Sequence, residues 1–86
     1  MLFLNIYTYK EGKREAIIAR RLEKGRAEPA GVKIIGEWTN LDGSGGFMVF
    51  EIEKPDYSWT LAWNDLLDMK LIPILDTEKD VMGLLK

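Results

Sequence analysis

Cysteine and histidine are both absent from this chain of 86 residues. Without cysteine no disulfide can staple the fold and thiol nucleophiles are excluded. Without histidine, Ser-His-Asp catalysis, imidazole acid–base chemistry and the usual zinc and haem ligand sets are excluded too. Any chemistry falls to carboxylates, Tyr, Lys, Arg or a borrowed group, and the residues call for no cofactor. A charge excess is also missing. Twelve Lys plus Arg stand against fourteen Asp plus Glu, a net charge of −2, which disfavours nucleic acid or an anionic membrane as partner. No apolar run approaches the roughly 20 residues needed to span a bilayer. Met1 to Tyr9 has no charged leader and is too short for a signal peptide, so a cytoplasmic protein is expected. The length predicts a single domain over residues 1–86, near the size at which one core is only marginally sufficient.

What is present centres on a hairpin. Val32–Thr39 and Phe47–Glu53 are apolar, strand-like segments flanking Asn40–Gly46, where an Asp-Gly pair and further glycines supply the backbone freedom of a tight reversal. Before the hairpin, Leu2–Tyr9 alternates as a strand and Lys13–Lys24 holds good helix formers up to Gly25, a suitable C-cap. The apolar stripe of that helix is narrow, with Ile18 and Leu22 four apart and Ile17 and Ala19 beside them, and its mixed charges suit a solvated face. After the hairpin, Asp56 is placed to cap a helix over Tyr57–Leu67, where Trp59, Ala62, Trp63, Leu66 and Leu67 share one arc. Leu71–Leu75 reads as a strand whose Pro73 belongs at a sheet edge, and Glu78–Leu85 as a short C-terminal helix. The order β-α-β-β-α-β predicts an α+β, ferredoxin-like fold with a four-stranded antiparallel sheet, the first and third strands at its centre.

Two helices cover one face of such a sheet, yet several strands are apolar on both faces. The uncovered face predicts a self-associating protein, a homodimer packed sheet to sheet; the alternative is that the C-terminal segment folds over it. Polar residues interrupting the strands are Asn5, Glu37 and Glu51. Of these, Glu51 shares a face with Phe47 and Val49, so burial there would desolvate its carboxylate and make it an acid or base. Trp38, Trp59 and Trp63 with Tyr7 and Tyr9 suit either an aromatic-lined pocket or plain core. Arg26, just past the first helix, is placed to clamp a ligand carboxylate or simply to be solvated. The run Gly43-Ser44-Gly45-Gly46 lacks the Lys-Ser/Thr of a phosphate loop and reads as a turn.

Gly25-Arg26, Pro29, Gly31, Trp38, Glu51, the Trp59-x3-Trp63-x-Asp65-Leu66 helix and Pro73 together resemble a family of short prokaryotic proteins of unknown function, itself similar to the muconolactone-isomerase-like branch of the dimeric α+β barrels. The resemblance implies a ferredoxin-like protomer, a homodimer and a cleft between sheet and helices. It carries no reaction, cofactor or catalytic residue, and its haem-binding relatives are unmatched where they need histidine. The reading that results is a homodimer binding a small, partly apolar, anionic metabolite. If it is catalytic, isomerase-like proton transfer would use Glu51 as acid or base, with Tyr7 and Asn5 orienting or stabilising an oxyanion, Arg26 holding the ligand charge, and Trp38 and Trp63 as walls. A non-catalytic module for protein interaction or ligand sensing, using exposed Tyr57 and Leu61, is the alternative.

Overall fold

The computed structural model describes residues 1–85. Four strands, β1 (Leu2–Tyr9), β2 (Lys33–Thr39), β3 (Gly45–Glu51) and β4 (Leu67–Ile74), alternate with helices α1 (Arg14–Lys24) and α2 (Tyr57–Trp63) in the order β-α-β-β-α-β. The sheet runs β2-β3-β1-β4 with every neighbouring pair antiparallel. This is the expected ferredoxin-like α+β fold, with β1 and β3 central. Pro73 lies on the edge strand β4 opposite Phe3, where a missing N–H donor is tolerated.

Local chemistry explains most boundaries. Asp56 caps α2, its Oδ1 accepting from the Ser58 N–H at 2.9 Å. Gly25 ends α1 at φ +61°, its N–H bonding back to the Arg21 carbonyl. In the β2–β3 reversal, Asp42 accepts from the Ser44 backbone at 3.0 Å and Gly43 adopts φ +74°.

The second helix is shorter than its sequence pattern predicts, and the last strand begins earlier. Helical periodicity continues through Leu66 and Leu67, but α2 stops at Trp63 and Leu67 already pairs with Tyr9. The eight-residue β1 supplies a partner for every residue of β4, and that ladder outweighs one further helical turn. Leu66 in the turn and Leu67 at the start of β4, paired with Tyr9, are still buried.

The first helix rotates away from its expected stripe. Ile17 is buried, whereas Ile18 is half exposed and Leu22 is 83% exposed. The side facing the sheet carries Ile17 and, one turn on, Arg20 and Arg21. The mixed-charge run is therefore only partly a solvated face. Arg20 reaches across to α2, donating to the Ala62 carbonyl at 2.9 Å and to both Asp65 oxygens at 2.7 and 2.8 Å.

The core lies between the sheet and the helices. Tyr7, Ile17, Trp63, Leu66 and Leu67 form one buried cluster, and Met48, Phe50 and Ile52 another, with Trp59 packed against both. The opposite sheet face is open. Ile6, Phe47 and Trp38 are exposed there, and the Trp38 ring stacks on Phe47 with centroids 5.2 Å apart. Gly36 makes room for this stack, since a Cβ at that position would run into the Trp38 ring. The C-terminal turns, Thr77–Val81 and Met82–Leu85, pack mainly on each other, with Leu84 and Leu85 82% and 72% exposed. They do not cover the sheet.

Candidate functional site

Strand alternation sorts the candidate residues. Asn5, Tyr7 and Tyr9 of β1 point toward the helices, as do Glu37 and Thr39 of β2 and Met48 of β3. With Trp59 and Trp63 from α2 and Arg21 from α1 they line a cavity of about 360 Å³. Arg26 enters from the loop after α1. That loop is pinned by the indoles, as both Trp59 Nε1 and Trp63 Nε1 donate to the Arg26 carbonyl at 2.9 Å. Ala27, the next residue, takes the left-handed conformation at φ +54°.

Glu37 is the centre of this arrangement. Its Oε1 accepts from Arg21 Nη2 at 2.7 Å and Arg26 Nε at 2.9 Å; its Oε2 accepts from the Tyr7 hydroxyl at 2.8 Å and Arg21 Nη1 at 3.1 Å. Four donors match the capacity of one carboxylate. Tyr7 reaches Glu37 across β3 because Gly46 lies between them, and a Cβ there would sit within 2.9 Å of the Tyr7 hydroxyl. The carboxylate is 12% exposed. Its burial alone would raise the pKa from the ordinary 4.5, but the hydrogen bonds from Arg21, Tyr7 and Arg26 outweigh burial and hold it at about 2. Burial, and then the bond to this anion, push the Tyr7 hydroxyl well above its usual range. At neutral pH the group is thus an ionised carboxylate, a neutral phenol and two guanidinium ions, with one net positive charge.

Asn5 stands apart from that network. It is 6% exposed, and its Oδ1 has no hydrogen-bond partner among the described residues. An unpaired buried carbonyl is costly, of order 1–3 kcal/mol.

Of the residues singled out from sequence, Asn5, Tyr7, Trp63 and Arg26 are brought together here. Glu51 and Trp38 are not. Glu51 alternates onto the open face opposite Leu2 and Lys33, where it is exposed. Trp38, paired with Phe47, lies on that face too. The carboxylate at the cavity is Glu37, one residue out of phase with Trp38. Arg21 and Trp59 complete the walls, and Arg21 is four residues beyond the buried Ile17, the one spacing that would have pointed to it. Among the described residues no cluster of acidic side chains is arranged to hold a metal, and no helix is long and apolar enough to cross a membrane.

The profile of a family described as a domain of unknown function, DUF3303, matches residues 1–85. The chain belongs to the DUF3303 family. No curated protein and no solved structure matches it. The match spans the whole described fold, both cavity walls and the open sheet face included.

Proposed function

We propose that this DUF3303 protein binds a small, partly apolar, anionic metabolite in the cavity between sheet and helices. The observation that carries this is the saturated Glu37. One carboxylate neutralises one of two convergent arginines, leaving a net positive charge beside aromatic walls. Arg26 uses only its Nε on Glu37, so its outer Nη donors are available to a ligand carboxylate. The same saturation favours binding over isomerase-like proton transfer. A carboxylate with a pKa of about 2 is a weak base at neutral pH, and Glu51 lies across the sheet.

The test is an NMR titration with 3-phenylpropionate and its uncharged amide. The acid is expected to shift the indole N–H resonances of Trp59 and Trp63 while leaving Trp38 unmoved. Arg26→Gln is expected to weaken the acid about tenfold or more, the loss of one charge-assisted contact. Equal binding of acid and amide, or no shift at either indole, overturns the reading.

We also propose that a second copy of the chain covers the open sheet face, giving the homodimer and the dimeric-barrel likeness to the muconolactone-isomerase-like branch. The exposed Trp38–Phe47 stack with Ile6 offers an apolar centre, and Lys33 and Glu51 give its edge both signs of charge, as self-complementary packing about a two-fold axis requires. Sedimentation velocity at low micromolar concentration checks it; a monomer there overturns it.

A further inference from the structure

A second cavity of about 270 Å³ opens beside the first, between β1, β4 and the start of α2. It is lined chiefly by apolar groups, among them Phe3, Phe50, Ile52 and Leu71. Three residues belong to both cavities: Asn5, Trp59 and Met69. The partition is thus a thioether, an indole and a buried amide whose oxygen is unpaired among the described residues. Met69 is only partly buried and conformationally adaptable, a wall that yields more readily than backbone.

The polar order across the sheet is also set. Glu37 pairs with Met48, Met48 with Asn5, and Asn5 with Leu71, so these four form one row perpendicular to the strands. Asn5 lies two strand spacings, about 10 Å, from Glu37, and Leu71 lies one spacing further on. Along this row the surroundings pass from positive charge to a lone acceptor to an apolar chamber. A molecule that fits all three has an anionic head, a hydrogen-bond donor in the middle and an apolar tail.

We propose that the two cavities are compartments of one site for an N-acyl amino acid, its carboxylate at Arg21 and Arg26, its amide N–H on Asn5 Oδ1, and its acyl tail in the second cavity. The inference rests on the anionic-ligand reading above and goes further in assigning the tail compartment and the role of Asn5. Binding moves the Met69 side chain aside, joins the cavities and gives the orphan carbonyl its donor. An unpaired acceptor kept in a core at a cost to stability is consistent with a site whose partner arrives with the ligand.

The experiment uses the intact chain and N-acylated glycine and γ-aminobutyrate with acetyl, hexanoyl and decanoyl tails, each with the ester isostere in which oxygen replaces the N–H. Affinity is read by calorimetry and by the Trp59 indole resonance. With the better head, each added methylene is expected to tighten binding two- to fourfold until the tail outgrows the compartment, and the amide to outbind its ester at least tenfold. Leu71→Trp fills the second cavity without lining the first, and is expected to abolish the gain from the tail while leaving the acetyl compound unchanged. Thr60→Leu, also lining only the second cavity, serves if Leu71→Trp does not fold. Asn5→Val is expected to raise the urea midpoint and erase the amide-over-ester preference together, a combination that a purely structural amide would not produce.

Affinity independent of tail length, or equal for amide and ester, overturns the inference. Arg26-dependent binding of the acetyl compound would then still leave the anionic-ligand reading standing. If no compound binds with either head, this inference falls, and the 3-phenylpropionate titration alone decides the anionic-ligand reading.

Discussion

Along β3, Met48 and Phe50 lie under the helices, while their neighbours Phe47 and Val49 face the other way beside the half-exposed Trp38. The covered face holds the polar machinery: an ionised carboxylate with four donors, a buried phenol and an unpaired amide. The open face holds stacked aromatics and aliphatics in the position where a solvated sheet carries polar residues. Burial strengthens electrostatic contacts and makes unpaired groups expensive, so a polar cluster persists under the helices only when every member but a functional one is satisfied. Contiguous apolar patches left in water commonly mark interaction surfaces. The contrast teaches that the two faces differ in kind, a polar cluster under the helices and an apolar surface on the other side, which is the division the proposed ligand site and proposed dimer would each use.

The sharpest way to break that contrast is to make the same kind of change on each face. Trp63→Ala on the covered face removes a buried ring and its bond to the Arg26 carbonyl, and is expected to cost about 4 kcal/mol in urea unfolding. Trp38→Ala is expected to leave protomer stability nearly unchanged while weakening the proposed dimer tenfold or more, read by sedimentation. Equal destabilisation by both would erase the distinction between the faces.

Glu37→Gln comes next, at about 3 kcal/mol, since it strips the counter-charge from two guanidinium groups. The pH dependence has a definite sign. The folded-state pKa of Glu37 is depressed from 4.5 to about 2, so its contribution is fully present above pH 4.5 and is lost as the pH falls toward 2. Glu37→Gln is expected to flatten the stability curve across that interval, whereas wild type loses about 3 kcal/mol over it. A curve unchanged by the substitution would mean the cluster is not formed.

Smaller effects sharpen the picture at the rim. Asp65→Asn breaks the paired contact to Arg20, but this pair is solvent-exposed at the acidic end, so its urea midpoint is expected to shift less than that of Glu37→Gln. Leu22→Gln, at the exposed rim of the cavity, is expected to change stability by less than about 0.5 kcal/mol; a larger loss would show that this rim is covered in solution.

The element order and the edge position of Pro73 were legible because periodicity and turn chemistry are local signals, written in residues a few positions apart. The cluster of Tyr7 with Glu37 was less so. It spans 30 residues of chain and depends on Gly46 lying between the two side chains, which only pairing of β1 with β3 brings about. Glu37 and Glu51 both interrupt apolar strands, and which of two such carboxylates is covered reverses with a shift of one residue in the pleat. Arg21 was hidden by a helix whose visible apolar stripe, Ile18 and Leu22, stays largely exposed at the cavity rim instead of packing into the core. Thus the amino-acid order alone determined the elements, their sequence and the two-sided greasiness of the sheet, because each follows from spacing along the chain. Which face the helices cover, and hence which carboxylate meets the arginines, was decided only by tertiary packing, because burial of Trp63 and Ile17 fixes where the helices lie and those side chains carry no label of the strand they will cover.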